Sequence, residues 1–323
     1  MSRLRLAFAA PARPSAPVLA ALLMTAQALV FAGMSALIRH AAQSLHPFEV
    51  AFFRSFFGLV FMLPWLWRAG LRGLRTERLW LYGWRSAIGL VSMLASFSAL
   101  AMLPFAEAIT LSFTTPLFAT VGAALLLGEV VRRRRWTAAI VGFVGVVIVL
   151  RPGVGMVNLG VVLALVSAMI GAGTTLIVRN LARTEPASAI VTYMVLITTP
   201  LSLVPALFVW RWPSPDMWVW LVATGALGSL GHTCYSRALG LTEASAVMPY
   251  DYTRLVFAVI IGYFAFDEVP TIWTFAGAAV IVGSALYIAH REARLGRTAA
   301  MAVTAAPETT ATLTPVEPRR AAH

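Results

Sequence analysis

Residues 157–178 read VNLGVVLALVSAMIGAGTTLIV, a stretch without a charged side chain. An α-helix rises about 1.5 Å per residue, so roughly 20 apolar residues cross the hydrocarbon core of a bilayer, which is about 30 Å thick. The few polar residues in the stretch are small or uncharged, and transmembrane helices tolerate such residues where they pack together. We therefore interpret this stretch as a membrane-spanning helix.

The rest of the chain repeats this pattern. Of its 323 residues, 59% are hydrophobic and 12% are charged, and a water-soluble protein of that composition could not cover its surface. The first apolar stretch follows arginines, as a signal sequence does, but its length and the later spans favour a retained helix. The sequence predicts an all-α membrane protein with ten transmembrane helices. The ten stretches lie near residues 18–38, 49–67, 79–102, 105–127, 136–150, 157–178, 188–209, 217–239, 244–266 and 271–290.

Several classes of chemistry lack the residues that they require. All 25 basic residues are arginine, so a phosphate-binding P-loop and a lysine Schiff base are excluded. The single cysteine, Cys234, allows no internal disulfide and no cysteine cluster for a metal ion. The five histidines are scattered and form no H-E-x-x-H motif, which argues against a membrane-embedded enzyme. A channel would require a repeated polar segment that forms a selectivity filter, and the sequence contains none. The sequence predicts no metal site and no cofactor.

Arginine is distributed unevenly between the two sides of the predicted bundle. With a cytoplasmic N-terminus, 18 of the 25 arginines fall on the cytoplasmic side, three on the opposite side and four within spans. This asymmetry predicts that both termini are cytoplasmic. The run Arg132–Arg135 is then an orientation and lipid-headgroup contact rather than a nucleic-acid site. The ends at 1–17 and 292–323 lack hydrophobic periodicity, and we predict that they are cytoplasmic tails, the second disordered.

The two halves of the chain resemble each other. At a shift of 139 residues, Phe118-Ala119 aligns with Phe257-Ala258 and Glu129 with Glu268, and at a shift of 140, Arg39 aligns with Arg179. Each copy has five spans, an odd number, so the copies must enter the membrane in opposite orientations. The sequence therefore predicts an inverted repeat of 18–152 and 153–291. Such symmetry suits alternating access, in which a central cavity opens to either side in turn.

Four segments resemble a known family, the drug/metabolite transporter superfamily and, within it, the EamA-type ten-helix carriers. These segments are HPFEVAFFR at 46–54, PLF at 116–118, LGE at 127–129 and FDE at 266–268. The resemblance covers residues 18 to about 290 and implies a secondary transporter of the bacterial inner membrane. One departure is Asp267, which stands where the first copy has Gly128.

The resemblance also implies a class of cargo. The stretch at 46–54 and the stretch PYDYTRL at 249–255 are similar to bacterial carriers of riboflavin and of S-adenosylmethionine. Related sequences also export amino acids and metal-chelating metabolites. Tyrosines that could stack on a planar ligand and mixed-sign charges within the spans agree with a polar, heteroatom-rich metabolite. We therefore expect a small-molecule partner, riboflavin first and S-adenosylmethionine second. No feature of the sequence indicates the oligomeric state.

The charged residues within spans are the first site candidates. Asp251 and Arg254 are three residues apart on one helix face, and each costs roughly 2.5–3.5 kcal/mol if left alone in the membrane. They form either a structural ion pair or a cavity-facing pair that contacts substrate or takes up a proton. Arg54 either extends to the interface or points inward at an anionic group. Glu107 is either a proton-coupling group or an interfacial carboxylate.

Polar and aromatic residues complete the hypothesis. Helix three carries a stripe of Arg85, Gly89, Ser92 and Ser96, which either lines a cavity or packs against a neighbouring helix. His232 and Tyr235 lie one turn apart, as either a buried structural pair or part of a proton relay. The predicted substrate-binding residues are Arg54, Ser92, Ser96, Thr114, Tyr193, Tyr235, Tyr250, Asp251 and Arg254. The predicted proton-coupling residues are Glu107, His232 and Asp251.

Overall fold

The computed structural model describes residues 16–70, 75–115, 117–118, 133–150, 158–242, 247, 250–284 and 286–287. These residues form helices joined by short connections and include no β-strand. The helices are α1 Ala16–Ala41, α2 Pro47–Ala69, α3 Leu79–Met102, α4 Phe105–Ser112, α5 Arg133–Leu150, α6 Leu159–Leu181, α7 Ala187–Leu207, α8 Met217–Leu241, α9 Thr253–Phe266 and α10 Ile272–Ser284. The predicted tails and the second half of the fourth predicted span lie outside the described residues.

Every predicted span has a helix at its position, and the prediction of an all-α membrane protein with ten transmembrane helices is confirmed. Five helices, α1, α2, α3, α6 and α7, are each long and apolar enough to cross a bilayer. The apolar stretch at 157–178 coincides with α6. This helix begins after Asn158, because that side chain accepts a hydrogen bond from the Val161 N–H at 3.0 Å. We call the end of the bundle where α1 ends and α2 begins the distal end, and the opposite end the proximal end.

Helix packing reveals the inverted repeat directly. Each helix of the first repeat corresponds to the helix five places later, so α1 corresponds to α6 and α3 to α8. The contact of α1 with α8 therefore corresponds to the contact of α6 with α3. Among the described residues, no other two helices pack as extensively as these pairs. In the same way, the contact of α1 with α9 corresponds to that of α6 with α4. Two helices also pack directly on their own counterparts, α2 on α7 and α4 on α9. The predicted inverted repeat of two five-helix units is therefore confirmed.

The HPFEVAFFR stretch begins α2 through reciprocal capping. The Phe48 N–H donates to His46 Nδ1 at 3.2 Å, and the His46 N–H donates to the Glu49 carboxylate at 3.1 Å. Pro47 occupies the first helical turn, where a missing N–H costs nothing. The buried Glu49 carboxylate also accepts the backbone N–H of Arg211 at 2.6 Å. The first part of this stretch thus fixes the start of α2 and ties it to the connection between α7 and α8.

Asp267 explains the departure between the two copies. It ends α9 with φ 52°, in the left-handed region that glycine adopts most easily. The Glu268 N–H then reaches back to the Gly262 carbonyl at 3.1 Å and closes the helix end. An aspartate can stand at this helix end because it is among the non-glycine residues that tolerate this conformation. Gly128, its counterpart in the first copy, lies outside the described residues.

Candidate substrate site

Asp251 and Arg254 form the centre of a polar cluster between the two repeats. Asp251 Oδ2 lies 3.5 Å from Arg254 Nη2, and Asp251 Oδ1 accepts a hydrogen bond from Gln27 Nε2 at 3.2 Å. Arg254 Nη2 also donates to Ser112 Oγ at 3.2 Å, and its guanidinium lies 5.0 Å from the centre of the Phe113 ring. The pair therefore joins residues 250–266, which we call the α9 segment, to α1 and to the end of α4.

This ion pair is not fully saturated by its neighbours. The Asp251 and Arg254 side chains are 21% and 17% exposed. Within the described part of the chain, Arg254 Nε and Gln27 Oε1 are buried without a hydrogen-bond partner. Donor and acceptor positions consequently remain for another molecule, and leaving them unused costs free energy in an apolar interior.

A cavity of about 50 Å³ lies beside Arg254 on the distal side of the ion pair. Its polar lining comes from Arg254 and from the hydroxyl groups of Ser35, Ser96, Ser112 and Ser167. A volume of this size holds a few water molecules at most, since each water occupies about 30 Å³ in the liquid. Helices must move apart before a metabolite can bind in this cavity.

Tyr235 connects the ion pair to the arginines deeper in the bundle. Its hydroxyl lies 3.5 Å from Thr175 Oγ1 on α6. The charges of Asp251, Arg85 and Arg254 all act on this hydroxyl, so the four side chains share one polar region. His232, one turn earlier on α8, contacts the Phe31 ring edge-on at 5.0 Å between ring centres.

Arg54 and Arg85 occupy the core beside His232. Both side chains point inward, and the residues are 4% and 6% exposed. Arg54 Nη1 makes only a weak contact with Met93 Sδ at 3.8 Å. The charges of Arg54 and Arg85 act on each other and on His232. Of the two readings of Arg54, the structure shows the inward one and not extension to the interface.

Two of the predicted hydroxyl ligands are engaged within the bundle. Ser92 Oγ donates to the Ser167 carbonyl at 3.0 Å, and Ser167 Oγ donates to the Ser92 carbonyl at 2.9 Å, an arrangement that pairs α3 with α6. Thr114 Oγ1 donates to the Leu111 carbonyl at 2.7 Å in its own segment. The Ser92–Ser167 bonds serve helix packing and the Thr114 bond is local, and a role in substrate binding stays a prediction for both Ser92 and Thr114.

Three further predicted residues lie away from the cluster. Tyr193 stacks on Tyr82, with ring centres 4.4 Å apart, and packs with Leu181 and Ile190 in a separate apolar group. Tyr250 is 42% exposed. Glu107 lies half-buried in the first turn of α4, at the distal end. The structure thus brings together Arg54, Ser96, His232, Tyr235, Asp251 and Arg254, and leaves the other three outside this group.

Three residues of the cluster, Gln27, Ser112 and Thr175, do not appear among the sequence-based candidates. Arg85 belongs to the predicted polar stripe of helix three but not to the predicted substrate-binding residues, and the structure places it in the core, as it does Arg54. Gln27 is the sole amide in the apolar run of α1, and an uncharged polar residue within a span was a signal that could have identified it. Ser112 and Thr175 carried no comparable signal.

A second network closes the distal end of the bundle. Arg39, near the end of α1, forms an ion pair with Glu268 after α9 and donates to the carbonyl of Leu103. The other Glu268 oxygen accepts the Phe105 N–H at 2.6 Å, and the Arg39 guanidinium lies 5.2 Å from the centre of the Phe266 ring. We call these five residues the distal seal. It joins α1 to the α3–α4 connection and to the end of α9.

The repeat is also visible in comparison with known proteins. A sequence profile of the EamA-like transporter family matches residues 18–151 and, a second time, residues 158–289. The chain belongs to the EamA-like transporter family. A crystal structure with the same fold superposes with a TM-score of 0.60 at 23% identity, covering 84% of this chain and 98% of that one.

Relatives of this EamA-like transporter carry names that differ in cargo. It is 32% identical over 289 residues to a riboflavin transporter of Vibrio cholerae, covering 87% of this chain and 96% of the relative. It is 30% identical over 254 residues to an S-adenosylmethionine uptake transporter of Rickettsia prowazekii, covering 79% and 86%. A pseudopaline exporter of Pseudomonas aeruginosa is 28% identical, covering 81% and 92%. Family membership therefore establishes a transporter, while the relatives differ in cargo and direction.

Proposed function

We propose that this chain is a secondary transporter that moves a small polar metabolite across the bacterial inner membrane by alternating access, with both termini in the cytoplasm. The observation that carries the proposal is the Asp251–Arg254 pair, enclosed between the two repeats with unused hydrogen-bonding positions. Ionisable groups within a membrane bundle mark substrate and ion pathways. An apolar cargo would leave these groups desolvated without a partner, so the cluster suits a heteroatom-rich ligand.

Three features of the bundle support alternating access. The inverted repeat supplies two related packing arrangements that can exchange. The distal seal closes one end of the bundle through Arg39 and Glu268. The cavity beside Arg254 is too small for a metabolite, as expected of an occluded conformation. Opening the seal would enlarge the cavity towards the distal side.

For the cargo, we propose uptake of a vitamin or cofactor, with riboflavin first and S-adenosylmethionine second. The support is the similarity to the Vibrio and Rickettsia proteins that bear those names. Export of an amino-acid-like metabolite is the second candidate, and the similarity to the pseudopaline exporter favours it. Uptake and export use the same bundle and differ in the gradients that drive them.

Counterflow in proteoliposomes tests the proposal. Vesicles preloaded with unlabelled riboflavin or S-adenosylmethionine should accumulate the labelled compound transiently, and the labelled compound should be recovered chemically unchanged. Protein-free vesicles and vesicles with Asp251→Asn are the controls. Chemical conversion of the compound would indicate an enzyme instead. Absence of counterflow for both compounds, with correct insertion, would refute the cargo proposal, and a wider metabolite screen would then test transport itself.

A further inference from the structure

We propose that Arg54 and Arg85 form a binding subsite for an acidic group of the substrate, either a carboxylate or a phosphate. The inference rests on the proposed transport function and adds a chemical requirement to it. Its basis is the unusual state of two guanidinium groups that are both buried in the core of the bundle with an Nε that lacks a partner among the described residues.

The two arginines lack the partners that a buried charge requires. Each residue is more than nine-tenths buried, and each Nε is buried without a hydrogen-bond partner among the described residues. No carboxylate of the described segments forms an ion pair with either residue. Their charges repel each other, and the nearby His232 supplies no negative charge. Because an unpaired buried charge is costly, the arrangement is favourable only when an anion enters it.

The surroundings of Arg54 leave room for its guanidinium in the bundle. A Cβ atom at Gly228 on α8 would lie 2.8 Å from Arg54 Nε and 3.3 Å from Arg54 Cζ, so a larger residue there would displace the guanidinium. The guanidinium therefore lies against bare backbone, within the core and away from lipid. A planar guanidinium with several N–H donors matches carboxylate and phosphate oxygens better than any other side chain does.

Tyr235 relates this subsite to the Asp251–Arg254 pair, because the charges of Arg85 and Asp251 both act on its hydroxyl. A ligand that spans both regions would meet two arginines at one end and a carboxylate at the other. This polarity fits a metabolite with an acidic group and a separate cationic or hydrogen-bonding part. S-Adenosylmethionine has such a structure, with a carboxylate and a sulfonium, whereas riboflavin has no acidic group. The inference therefore places S-adenosylmethionine ahead of riboflavin.

Thermal unfolding of the purified full-length protein tests the subsite without knowledge of the cargo. Inorganic phosphate and acetate are the probes, each compared with chloride at the same ionic strength. Both should raise the unfolding temperature of the wild type in a saturable manner, because a ligand of the folded state stabilises it. The shift should disappear in Arg54→Gln and Arg85→Gln and persist in Arg68→Gln, an exposed arginine on α2. No shift beyond chloride, or a shift that survives both core substitutions, would overturn the inference.

Matched ligand pairs provide a second measurement on the wild type, in case the core variants do not fold. S-Adenosylmethionine should bind at least about tenfold more tightly than its decarboxylated analogue, and riboflavin phosphate more tightly than riboflavin, since a charged hydrogen-bonded contact contributes about 1.5–3 kcal/mol. Equal binding within both pairs would contradict the subsite. S-Adenosylmethionine counterflow that is unchanged in Arg54→Gln would leave the transport proposal standing and refute this inference. Stabilisation by anions without counterflow of any metabolite would support the subsite and refute the transport proposal.

Discussion

At the scale of single residues, Asp251 uses both of its carboxylate oxygens within the cluster. One oxygen accepts the Gln27 amide and the other pairs with Arg254, so its charge is shared between two elements. The pair is only partly shielded from solvent, and its contacts leave donor positions unused. These properties distinguish it from a saturated structural ion pair, in which every donor would have an acceptor.

Replacing Asp251 with asparagine should slow transport by about tenfold or more while the protein still inserts and folds. The amide retains the shape and the bond to Gln27, but it can neither balance Arg254 nor carry a proton. Initial counterflow rates, normalised to the amount of inserted protein, measure the effect. Asp216→Asn, at an exposed position before α8, is the matched control and should transport normally. A wild-type rate for Asp251→Asn would show that the pair is only structural.

Asp267→Gly should stabilise the protein by about 0.5–1 kcal/mol, because glycine removes the cost of a left-handed conformation at φ 52°. The thermal midpoint of unfolding in detergent measures this effect. Gly70→Asp is the comparison. It should destabilise the protein, because it places a side chain on a residue whose φ is +61°. A lower midpoint for Asp267→Gly would mean that the aspartate side chain contributes more than its backbone conformation costs.

Sequence reasoning at this scale succeeded where chemistry is local. Asp251 and Arg254 share a helix face, so their spacing alone predicted the ion pair. Gln27 could not be predicted as the partner of Asp251, because the two are 224 positions apart and only the packing of α1 on the α9 segment joins them. Tyr193 failed to join the cluster for the same reason: its partner Tyr82 comes from another helix.

At the scale of helices, the distal seal holds three elements together through one carboxylate. Glu268 pairs with Arg39 on α1 and accepts the first N–H of α4 from Phe105. Its position is fixed by the left-handed turn at Asp267, so the end of α9 and the seal are one structural unit. Motion of α9 would therefore break the contacts of Glu268 with α1 and with α4, while the bond from Arg39 to the Leu103 carbonyl would remain.

Glu268→Gln should weaken the seal and expose the cavity beside Arg254. Loss of one partly exposed ion pair shifts such an equilibrium by about 1 kcal/mol, or roughly fivefold. A cysteine at Ser35, a cavity-lining position, reports opening in a Cys234→Ser background through its rate of reaction with a polar maleimide. The rate should rise in Glu268→Gln, while that of a cysteine at the exposed Ser214 should not change. Equal rates at Ser35 would show that the seal does not control access.

Helix positions followed from hydrophobicity, but helix ends did not. The first predicted span, 18–38, became Ala16–Ala41, and the fifth, 136–150, became Arg133–Leu150. Each helix extends beyond its apolar run because backbone hydrogen bonding continues into the interface, where arginine is tolerated. The start of α2 was an exception that the sequence encodes in full, since His46 and Glu49 cap it reciprocally.

At the scale of the whole molecule, a symmetric scaffold carries an asymmetric interior. At the shift of 139, Asp251 corresponds to Ser112 and Arg54 to Tyr193. The packing of α1 on α9 nevertheless has its counterpart in the packing of α6 on α4. The two halves thus retain the helix contacts that allow exchange of conformations, while the charged residues of the cluster lie on α2, on α3 and at the start of α9. The duplicated pattern predicted the scaffold, but it could not predict which copy bears the charges.

The proposed orientation of this scaffold in the membrane rests on the arginine distribution. By sequence, the proximal connections and the two termini together contain 18 arginines and the distal connections three, and such an excess would retain the proximal end in the cytoplasm during insertion. In intact cells, an impermeant reagent should label a cysteine at Ser214 in the distal connection and should reach one at Glu77 in the proximal connection only after permeabilisation. The opposite pattern would invert the assignment.

Replacing Arg132–Arg135 together with glutamine tests whether this excess, rather than the tetra-arginine run, determines the orientation. Because 18 − 4 = 14 proximal arginines still exceed the three distal ones, the labelling pattern at Ser214 and Glu77 should not change. Weaker binding of anionic lipid headgroups by the protein is the expected secondary effect, since each basic residue near the membrane surface contributes about 1 kcal/mol. An inverted or mixed labelling pattern would show instead that this one loop dominates, and the two repeats would then differ in how strongly each fixes its own orientation.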